Sequence, residues 1–411
     1  MKTDAIIIGT ELDGLIAAIR LREHGYSVRM IGNGGGSLHY APEGIHVLGF
    51  SPRNDEEIIC EPLDIISQLD QSHPYRKVGI DQIRNALDWF VNISGEIHQK
   101  ITISGHNELA VSATGLSIPV YGTSEHQATV GKIGGKTAAL VRFRGYRDFP
   151  VELVAIELGK TGTKTEIVDV VAPGDAVENA ALAKAFDELE EADSYFTALK
   201  DSIPSYADVM LFPAVMGLSN FHRTLASAER VLGMPCLEVP TLPPSVPGMR
   251  LEWALTNHLR NGTASLHSCS GISGSSFETD RIVVWDDMGR QYEASLVIVS
   301  NGGVLMGGLD VDSYGVVHET SFGFKTYQSE PLKATTVDRS LNALHITGVE
   351  TDDALRPQRN GSDFCRNAFV TGRTLPHWNP AMECSTEGVC VATGWAAAEN
   401  AHEYLESLNV A

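Results

Sequence analysis

The sequence predicts an α/β fold organised around a parallel β-sheet, and three stretches lead to this prediction. Residues 4–31 have the pattern of a strand, a glycine turn, a helix and a second strand, the order of a βαβ unit. Residues 296–303 are a buried strand that runs directly into a turn with two glycines. Between residues 137 and 212, apolar runs alternate with amphipathic helical patterns, which indicates a second α/β layer.

The first βαβ unit is defined by its residue types. The run Asp4-Ala-Ile-Ile-Ile8 is apolar and β-branched, as expected for a strand buried on both faces. A helical pattern over 15–24 ends at Gly25, which predicts a left-handed C-cap. Residues 26–31 then supply the second strand.

The glycine turn is similar to the dinucleotide-binding fingerprint Gly-x-Gly-x-x-Gly. Gly9 and Gly14 fill the first and third positions, but Glu11 stands at the second, where glycine lets the backbone approach a pyrophosphate. Gly32 and Asn33 follow the second strand, where Asp or Glu normally holds the ribose. The pattern predicts a Rossmann-like FAD/NAD(P)-binding fold. Two interpretations stay open: a working dinucleotide site, or a scaffold that has lost its ligand.

The middle of the chain predicts an inserted domain. Gly, Ser and Thr are common from Gly115 to Gly135, which indicates turns that lead away from the first domain. We predict a discontinuous Rossmann-like domain over 1–110 and 250–411, and an inserted α/β substrate or cap domain over 111–249. Its predicted elements are strands over 138–141, 167–171 and 207–212 and a long acidic helix over 177–198; a helix over 80–93 precedes it.

A proline-rich stretch, Leu237 to Leu251, leads into a predicted helix over 248–260 and overlaps its first residues. Proline is excluded from helix interiors and central strands, so the stretch is predicted to be a rigid crossing between domains. Arg250 falls in the first turn of the predicted helix, where a cation gains nothing from the helix dipole. Arg250 could therefore hold an anionic ligand, or it could be a surface residue.

Two glycine turns in the C-terminal part are predicted ligand contacts. Gly302 and Gly303 follow the buried strand 296–299, and Gly372 follows the strand 368–370. Ligands of such sheets bind at the carboxyl ends of the strands. Further strands are predicted over 265–271, 281–285 and 291–294.

The last predicted helix, over 388–402, begins at Gly388. A helix N-terminus after a glycine offers free backbone N–H groups to an anion or a polarised ring. The alternative is that Glu387 caps its own helix.

Composition excludes some classes of function. The 411 residues include 31 basic and 52 acidic side chains, a net charge of −21, which argues against non-specific nucleic-acid binding. The six cysteines form no Cys-x-x-Cys motif, so iron–sulfur and zinc signatures are absent and buried thiols in a reducing cytosol are expected. Neither a signal peptide nor a membrane-spanning run is predicted.

The combined motifs resemble the two-domain flavoproteins of the fumarate reductase and amine oxidase type. More closely, the chain resembles the family of B subunits of the anaerobic glycerol-3-phosphate dehydrogenases. Four segments carry this resemblance: Leu242 to Leu251, the triplet Ser37-Leu38-His39, Thr351 to Pro357, and Gly388-Val389-Cys390.

The resemblance implies an electron-transfer enzyme. In that family a flavin, FAD or FMN, takes a hydride from carbon 2 of glycerol 3-phosphate and yields dihydroxyacetone phosphate. Electrons then reach the membrane quinone pool. The implied partners are a catalytic A-type subunit and an iron–sulfur C-type subunit, with no nucleic acid. The implied location is the cytoplasm, at the inner face of the membrane through a partner.

The resemblance also implies site residues. Gly9, Gly14 and Gly388 are expected to present N–H groups to the cofactor, and Gly303 to let the chain pass close to it. His39 is the predicted proton donor, and Arg250 the second predicted catalytic residue. The full predicted cofactor-binding set is Gly9, Thr10, Glu11, Gly14, Ser37, Gly302, Gly303, Gly372 and Gly388.

Three departures from the family pattern fall on these positions. Thr10, Glu11 and Asp13 replace a glycine-rich turn, and residues 384–388 replace a run of glycines. Arg373 stands where many flavoproteins carry an aspartate for the ribityl chain. Two alternatives therefore stay open: a degenerate, non-catalytic structural or assembly subunit, and a flavin oxidoreductase with another substrate.

Overall fold

The computed structural model describes residues 2–32, 34–41, 44–51, 54–174, 176–260, 264–269, 271–278, 280–329, 331–332, 343–359 and 363–410. The chain forms two compact units. Unit 1 comprises residues 1–37, 46–98 and 254–411, and unit 2 comprises residues 38–45 and 99–253. These borders lie at 98/99 and 253/254, where the sequence predicts 110/111 and 249/250. The cofactor and substrate roles of the two domains stay predictions.

The strands of unit 1 and unit 2 are numbered together along the chain. They are β1 Lys2–Ile8, β2 Val28–Gly32, β3 Phe50–Ser51, β4 Asn54–Ile58, β5 Ile101–Val111, β6 Ser117–Ser124, β7 Thr137–Phe143, β8 Lys164–Val170, β9 Val209–Pro213, β10 Cys236–Val239, β11 Ser265–Ser268, β12 Ile272–Phe277, β13 Ile282–Asp286, β14 Gln291–Val299, β15 Leu309–Val311, β16 Val317–Glu319, β17 Thr326–Tyr327, β18 Gly348–Val349 and β19 Ala368–Val370.

The α-helices are numbered in the same way, and short 3₁₀ turns occur at Gly36–Tyr40, Ile66–Gln68, Lys200–Ser202 and Gly372–Thr374. The helices are α1 Leu12–Glu23, α2 Pro62–Ile65, α3 Pro74–Val78, α4 Ile80–Glu96, α5 Val130–Ile133, α6 Val151–Lys160, α7 Asn179–Asp187, α8 Ala192–Leu199, α9 Phe221–Leu232, α10 Val246–Arg260, α11 Pro380–Glu383 and α12 Thr386–Val410.

Unit 1 is built on a sheet with the strand order β11-β2-β1-β14-β13-β12, and β19 also pairs with β14. The pairs β11–β2, β2–β1, β1–β14 and β14–β19 are parallel, whereas β12–β13–β14 is antiparallel. The buried residues of β1, such as Ile6 and Ile7, are completely enclosed, as expected for a central parallel strand. The predicted βαβ start is confirmed, and Gly25 has the expected positive φ of 90°.

One strand of unit 1 differs from the sequence prediction. The residues predicted as a short return strand and a separate buried strand form the single strand β14. Its first half pairs with β13 in a hairpin, and its second half lies between β1 and β19. Because one strand serves both pairings, the hairpin is continuous with the parallel sheet.

Unit 2 contains a parallel sheet of order β10-β9-β7-β8 and the antiparallel hairpin β5–β6. The predicted helix over 177–198 is wrong in its length, because residues 188–191 separate α7 from α8. The break lets Phe186 of α7 and Phe196 of α8 both enter one buried core, with the Tyr195 ring edge-on to each of them.

The proline-rich segment also differs from its prediction, since α10 begins at Val246 and includes Pro247 in its first turn. Proline is tolerated there because the first-turn N–H groups have no partner within a helix. The hydroxyl of Ser245 accepts a hydrogen bond from the N–H of Gly248 at 3.1 Å and so caps the helix. Arg250 consequently lies beyond the first turn.

Candidate flavin site

A cavity of about 320 Å³ opens in unit 1 where β1, β2, β11 and β14 end. Carboxyl ends of adjacent parallel strands are the usual ligand position in this class of sheet. The volume lies at the lower end of the range for ligand pockets. Its lining residues are Ile8, Gly9, Thr10, Glu11, Ile31, Gly32, Gly36, Cys269, Gly271, Ile272, Ser300, Asn301, Met306, Gly307, Gly308, Thr320 and Ser321.

Gly9 and Gly14 make the turn possible through close packing. Gly9 has a φ of 107°, and a Cβ there would overlap the carbonyl of Ser300. A Cβ on Gly14 would lie 2.7 Å from the Ser300 hydroxyl, so this glycine sets the distance between α1 and the sheet. The N–H of Gly9 donates to the carbonyl of Ile31 at 2.8 Å. The prediction that this N–H faces the cofactor is therefore wrong.

The first turn of α1 has N–H groups that could serve as donors in place of Gly9. Its N-cap, Glu11, forms no side-chain hydrogen bond to the helix, and the first N–H groups of a helix have no partner within it. Those N–H groups and the positive end of the helix dipole favour an anion at this point.

Glu11 turns its carboxylate away from α1 and onto Ser37. The Ser37 N–H donates to Oε1 at 2.9 Å and to Oε2 at 3.1 Å, and the Ser37 hydroxyl donates to Oε2 in a short contact. Glu11 is only 3% exposed, and this burial raises its pKa to about 7, while the Ser37 hydrogen bonds act in the opposite direction. The carboxyl group can therefore be neutral near neutral pH.

Asp13 is a second buried carboxyl in the same turn. The hydroxyl of Thr371 donates to its Oδ2 at 2.5 Å. Burial raises the pKa of Asp13, and hydrogen bonds to its carboxylate lower it in part. Gly372, with a φ of 57°, lies against this carboxylate, since a Cβ there would collide with it. Gly372 therefore packs on Asp13, and its contact with a cofactor stays a prediction.

The other predicted positions of unit 1 lie around the same turn. Thr10 lines the cavity and its hydroxyl donates to the Gly34 carbonyl at 2.6 Å. Gly302 has a φ of 72°, and a Cβ there would lie 2.9 Å from Oε1 of Glu11. A Cβ on Gly303 would overlap the Arg373 carbonyl. The backbone that passes close to Gly303 is therefore that of Arg373, whereas the prediction placed a cofactor there.

Gly388 does not present a free N–H group. It lies in the first turn of α12, and its N–H donates to the carbonyl of His46 at 2.9 Å. A Cβ there would overlap the hydroxyl of Tyr75. Glu387 places its Oε2 2.9 Å from Nδ1 of His46, and its role as a cap of α12 stays a prediction. The prediction of a free N–H group at Gly388 is corrected.

Arg250 belongs to unit 2 and is neither a surface residue nor an open anion site. Its guanidinium donates to Glu238 through Nη1 at 2.6 Å and Nη2 at 2.9 Å, and through Nε to the Gly217 carbonyl at 2.7 Å. Arg250 is 1% exposed and Glu238 is fully buried. The anion that this arginine holds is a side chain of the same unit.

His39 also belongs to unit 2. Its Nε2 lies 2.8 Å from Oε2 of Glu252, and the His39 side chain is about a third exposed. The structure therefore gives His39 a carboxylate partner on α10. Its role as proton donor stays a prediction.

Residues 4–385 match the family model described as FAD binding domain. The chain belongs to the FAD-binding domain family. This match confirms the predicted Rossmann-like fold, the flavoprotein class and the prediction of FAD or FMN as cofactor, of which it indicates FAD.

Curated relatives of this FAD-binding protein are named as the B-type subunit of the anaerobic glycerol-3-phosphate dehydrogenase. The Vibrio vulnificus protein is 28% identical and aligns over 100% of this chain and 98% of its own length. The Vibrio cholerae protein is 26% identical over 97% and 96%. The Halobacterium salinarum protein, named as probable, is 27% identical over 98% and 99%. The resemblance stated from the sequence is confirmed.

The residues of the turn fit FAD on the condition that Glu11 is protonated. The strand ends, the close packing at Gly9 and Gly14 and the donor end of α1 suit a pyrophosphate. An ionised Glu11 would oppose it, whereas a protonated Glu11 carries no charge. When bound, FAD would supply hydride-transfer chemistry, and the turn would hold its phosphates. Asn33, the predicted ribose position, lies outside the described residues.

Sequence reasoning missed part of the site. Cys269, Met306 and Thr320 line the cavity, but they lie far apart in the sequence and form no motif. Two buried His–Glu pairs, His46 with Glu387 and His73 with Glu383, were also missed because each joins distant segments. Across the described ranges, no helix combines the length and the apolar character that crossing a membrane requires.

Proposed function

We propose that this chain is the FAD-holding B-type subunit of an anaerobic glycerol-3-phosphate dehydrogenase complex. The observation that carries the proposal is the FAD-family site at the ends of β1, β2 and β14, together with relatives of that name aligned over nearly the whole chain. In the proposed complex, glycerol 3-phosphate is oxidised to dihydroxyacetone phosphate. Electrons leave through an iron–sulfur C-type subunit to the quinone pool, and a catalytic A-type subunit completes the complex.

The proposed partners follow from what the chain lacks in its sequence. It has no Cys-x-x-Cys motif and so no recognisable cluster to carry single electrons onward. The test is reconstitution with the two partner subunits. We expect glycerol 3-phosphate to drive quinone reduction by the complex and very little by the isolated chain. Robust quinone-linked turnover by this chain alone would contradict the complex-subunit proposal.

A second candidate is a non-catalytic structural subunit, and the buried acids of the turn favour it. Glu11 lines the cavity and Asp13 is buried in the same turn, and an ionised carboxylate so close to the cavity would repel a pyrophosphate. This candidate predicts a complex that assembles normally and keeps full turnover when the cavity of this chain is blocked. Loss of turnover with intact assembly would exclude it.

A further inference from the structure

One wall of the flavin cavity is formed by Cys269, Gly271 and Ile272, which lie between β11 and the start of β12. We call these three residues the far wall. β11 stands at one end of the sheet order and pairs in parallel with β2. The N–H of Cys269 continues this pairing, since it donates to the Gly32 carbonyl at 3.3 Å. An edge strand has unpaired backbone groups on its outer side, so other parts of the chain must fix the position of its end.

The hairpin turn between β13 and β14, residues 286–290, supplies this support. Three hydrogen bonds join the turn to the chain around the far wall: from Nη2 of Arg290 to the Ser268 carbonyl at 2.6 Å, from the N–H of Asp287 to the Gly271 carbonyl at 3.1 Å, and from the Ser273 hydroxyl to the Asp286 carbonyl at 2.7 Å. These bonds fall before, within and after the far wall. The turn therefore holds the far wall at both of its ends as well as in its middle.

Asp286 fixes the conformation of the hairpin turn. Its carboxylate is fully buried and accepts hydrogen bonds from the N–H of Met288 at 3.0 Å, the N–H of Arg290 at 2.8 Å, Nε of Arg290 at 2.6 Å and the hydroxyl of Tyr292 at 3.0 Å. Nε and Nη2 belong to one planar guanidinium. The bond from Nε to Asp286 therefore also directs Nη2 of Arg290 at the Ser268 carbonyl.

The strand order indicates which part of a dinucleotide the far wall meets. In this class of sheet the pyrophosphate lies at the turn after the first strand, and the ribose lies at the end of the second strand. β11 is the next strand beyond β2, on the side away from β1, about 4.8 Å further along the sheet. The part of FAD that continues beyond this ribose is the adenine ring. The far wall therefore corresponds to the adenine end of the cavity.

We propose that Arg290 is a positioning residue for FAD, which, held by Asp286, fixes the far wall at the place that the adenine end of the cofactor requires. The inference deepens the proposed function and rests on it, because it assumes that FAD is held in this cavity. Arg290 is not among the lining residues and acts through the backbone of Ser268. Supporting contacts of this kind affect binding strongly, because small displacements of the residues that touch a ligand loosen the site.

The same hairpin offers two control residues. Arg281 forms an ion pair with Glu293 at 2.9 Å, and its side chain is 39% exposed against 41% for Arg290, but within the described part of the chain it makes no hydrogen bond to the far wall. Arg281→Gln therefore controls for the loss of a half-exposed arginine. Tyr292→Phe removes one donor from Asp286 and leaves Arg290 in place, so it controls for a weakened hold on the buried carboxylate.

The binding test titrates the full chain, stripped of flavin, with FAD, ADP and inorganic pyrophosphate near pH 6, where Glu11 is mostly neutral. We expect Arg290→Gln to weaken the binding of FAD and ADP alike, by about 10–100-fold. Pyrophosphate binding should stay unchanged, because this ligand reaches only the turn after β1. Arg290→Lys should fall between the wild type and Arg290→Gln, because an ammonium lacks the planar fork that reaches both partners. Arg281→Gln and Tyr292→Phe should bind all three ligands like the wild type.

Two results of this titration would overturn the inference and leave the proposed function standing. The first is an equal FAD affinity in Arg290→Gln and Arg281→Gln. The second is a loss of pyrophosphate binding in Arg290→Gln as large as its loss of FAD binding, because the cause would then be a change of the whole site. Urea unfolding of each variant shows that the titrations are made on folded protein.

The Cys269 thiol reports the position of the far wall without a bound cofactor. Cys269 lines the cavity and is 8% exposed, so we expect iodoacetamide to reach it slowly while the far wall is in place. In the flavin-free chains, Arg290→Gln should speed alkylation of the Cys269 peptide, measured by mass spectrometry, and both controls should keep the wild-type rate. Equal rates in all four proteins would overturn the inference. If the wild type binds neither FAD nor ADP, the proposed function fails, and the alkylation rates still decide whether Arg290 holds the far wall.

Discussion

At the scale of single residues, the turn over residues 9–14 combines predictable and unpredictable features. Gly9 and Gly14 were identifiable because their spacing and the backbone conformation they allow are local properties. The protonation of Glu11 was not, because it depends on Ser37, a distant residue, and on burial by the whole unit. Arg250 was misjudged for the same reason, since its partner Glu238 lies on another element.

We expect Glu11 to make FAD binding dependent on pH. With a pKa of about 7, about nine-tenths of Glu11 is protonated near pH 6 and about one-tenth near pH 8. If only the neutral form admits the pyrophosphate, wild-type affinity falls about tenfold over that range. Glu11→Gln stays neutral and should show no such fall; Glu11→Gly should also bind FAD more tightly than the wild type near pH 8. Flavin titration at both pH values measures this, and parallel curves for all three proteins would contradict it.

Glu11 should also affect stability, with a defined sign. Its pKa is raised in the folded protein from 4.5, so folding favours the protonated form. The contribution is fully present below about pH 4.5 and is lost as pH rises through about 7, at a cost of about 3 kcal/mol. Glu11→Gln should therefore stabilise the apoprotein near pH 8 and be nearly neutral near pH 5. Urea unfolding at the two pH values tests this, and an equal shift at both would exclude it.

Arg250 should matter for stability and leave FAD binding unchanged. Arg250→Ala would strand the buried carboxylate of Glu238, which typically costs about 3–5 kcal/mol. Replacing both partners by apolar residues of similar volume, as in Arg250→Met with Glu238→Leu, should cost much less. Denaturant unfolding and flavin titration of both variants measure the two effects. Weaker FAD binding by a fully stable Arg250→Ala protein would restore the ligand-binding hypothesis.

At the scale of elements, periodicity predicted most strands and helices, but not their joins. β14 was predicted in two pieces because residue 295 is a serine between a polar and an apolar half. The break between α7 and α8 was not predicted, because a run of acidic residues is compatible both with an exposed helix face and with a solvated connection. The strands that pair with β14 and the core that receives α7 and α8 decide these two cases. Neither can be read from the sequence of one segment.

The packing of α12 against α1 gives a prediction at this scale. A Cβ on Gly394 of α12 would lie 2.9 Å from Cα of Asp13 and would collide with its carbonyl. Gly394→Ala should therefore cost about 1–3 kcal/mol through overpacking and weaken FAD binding by shifting the first turn of α1. Gly95→Ala in α4 is the control, because a Cβ there meets nothing and should stabilise by up to about 1 kcal/mol. A neutral Gly394→Ala would show that the two helices can separate without cost.

At the scale of the whole molecule, family resemblance predicted more than composition did. The charge of −21 and the absence of cysteine motifs excluded classes of partner without naming one. Motifs in Ser37-Leu38-His39 and Leu242 to Leu251 supplied the family, although the structure gives several of those residues packing roles inside unit 2. The buried pair of His46 and Glu387 emerged only from the folded chain.

The flavin content of the purified protein tests the central claim most directly. Absorbance of the protein, followed by denaturation and mass identification of the released cofactor, gives both its identity and its ratio to chain. We predict a yellow protein with the visible flavin bands that releases FAD in about equimolar amount. A colourless protein that takes up no FAD on reconstitution, near pH 6 as well as near pH 8 where Glu11 differs in charge, would contradict the account.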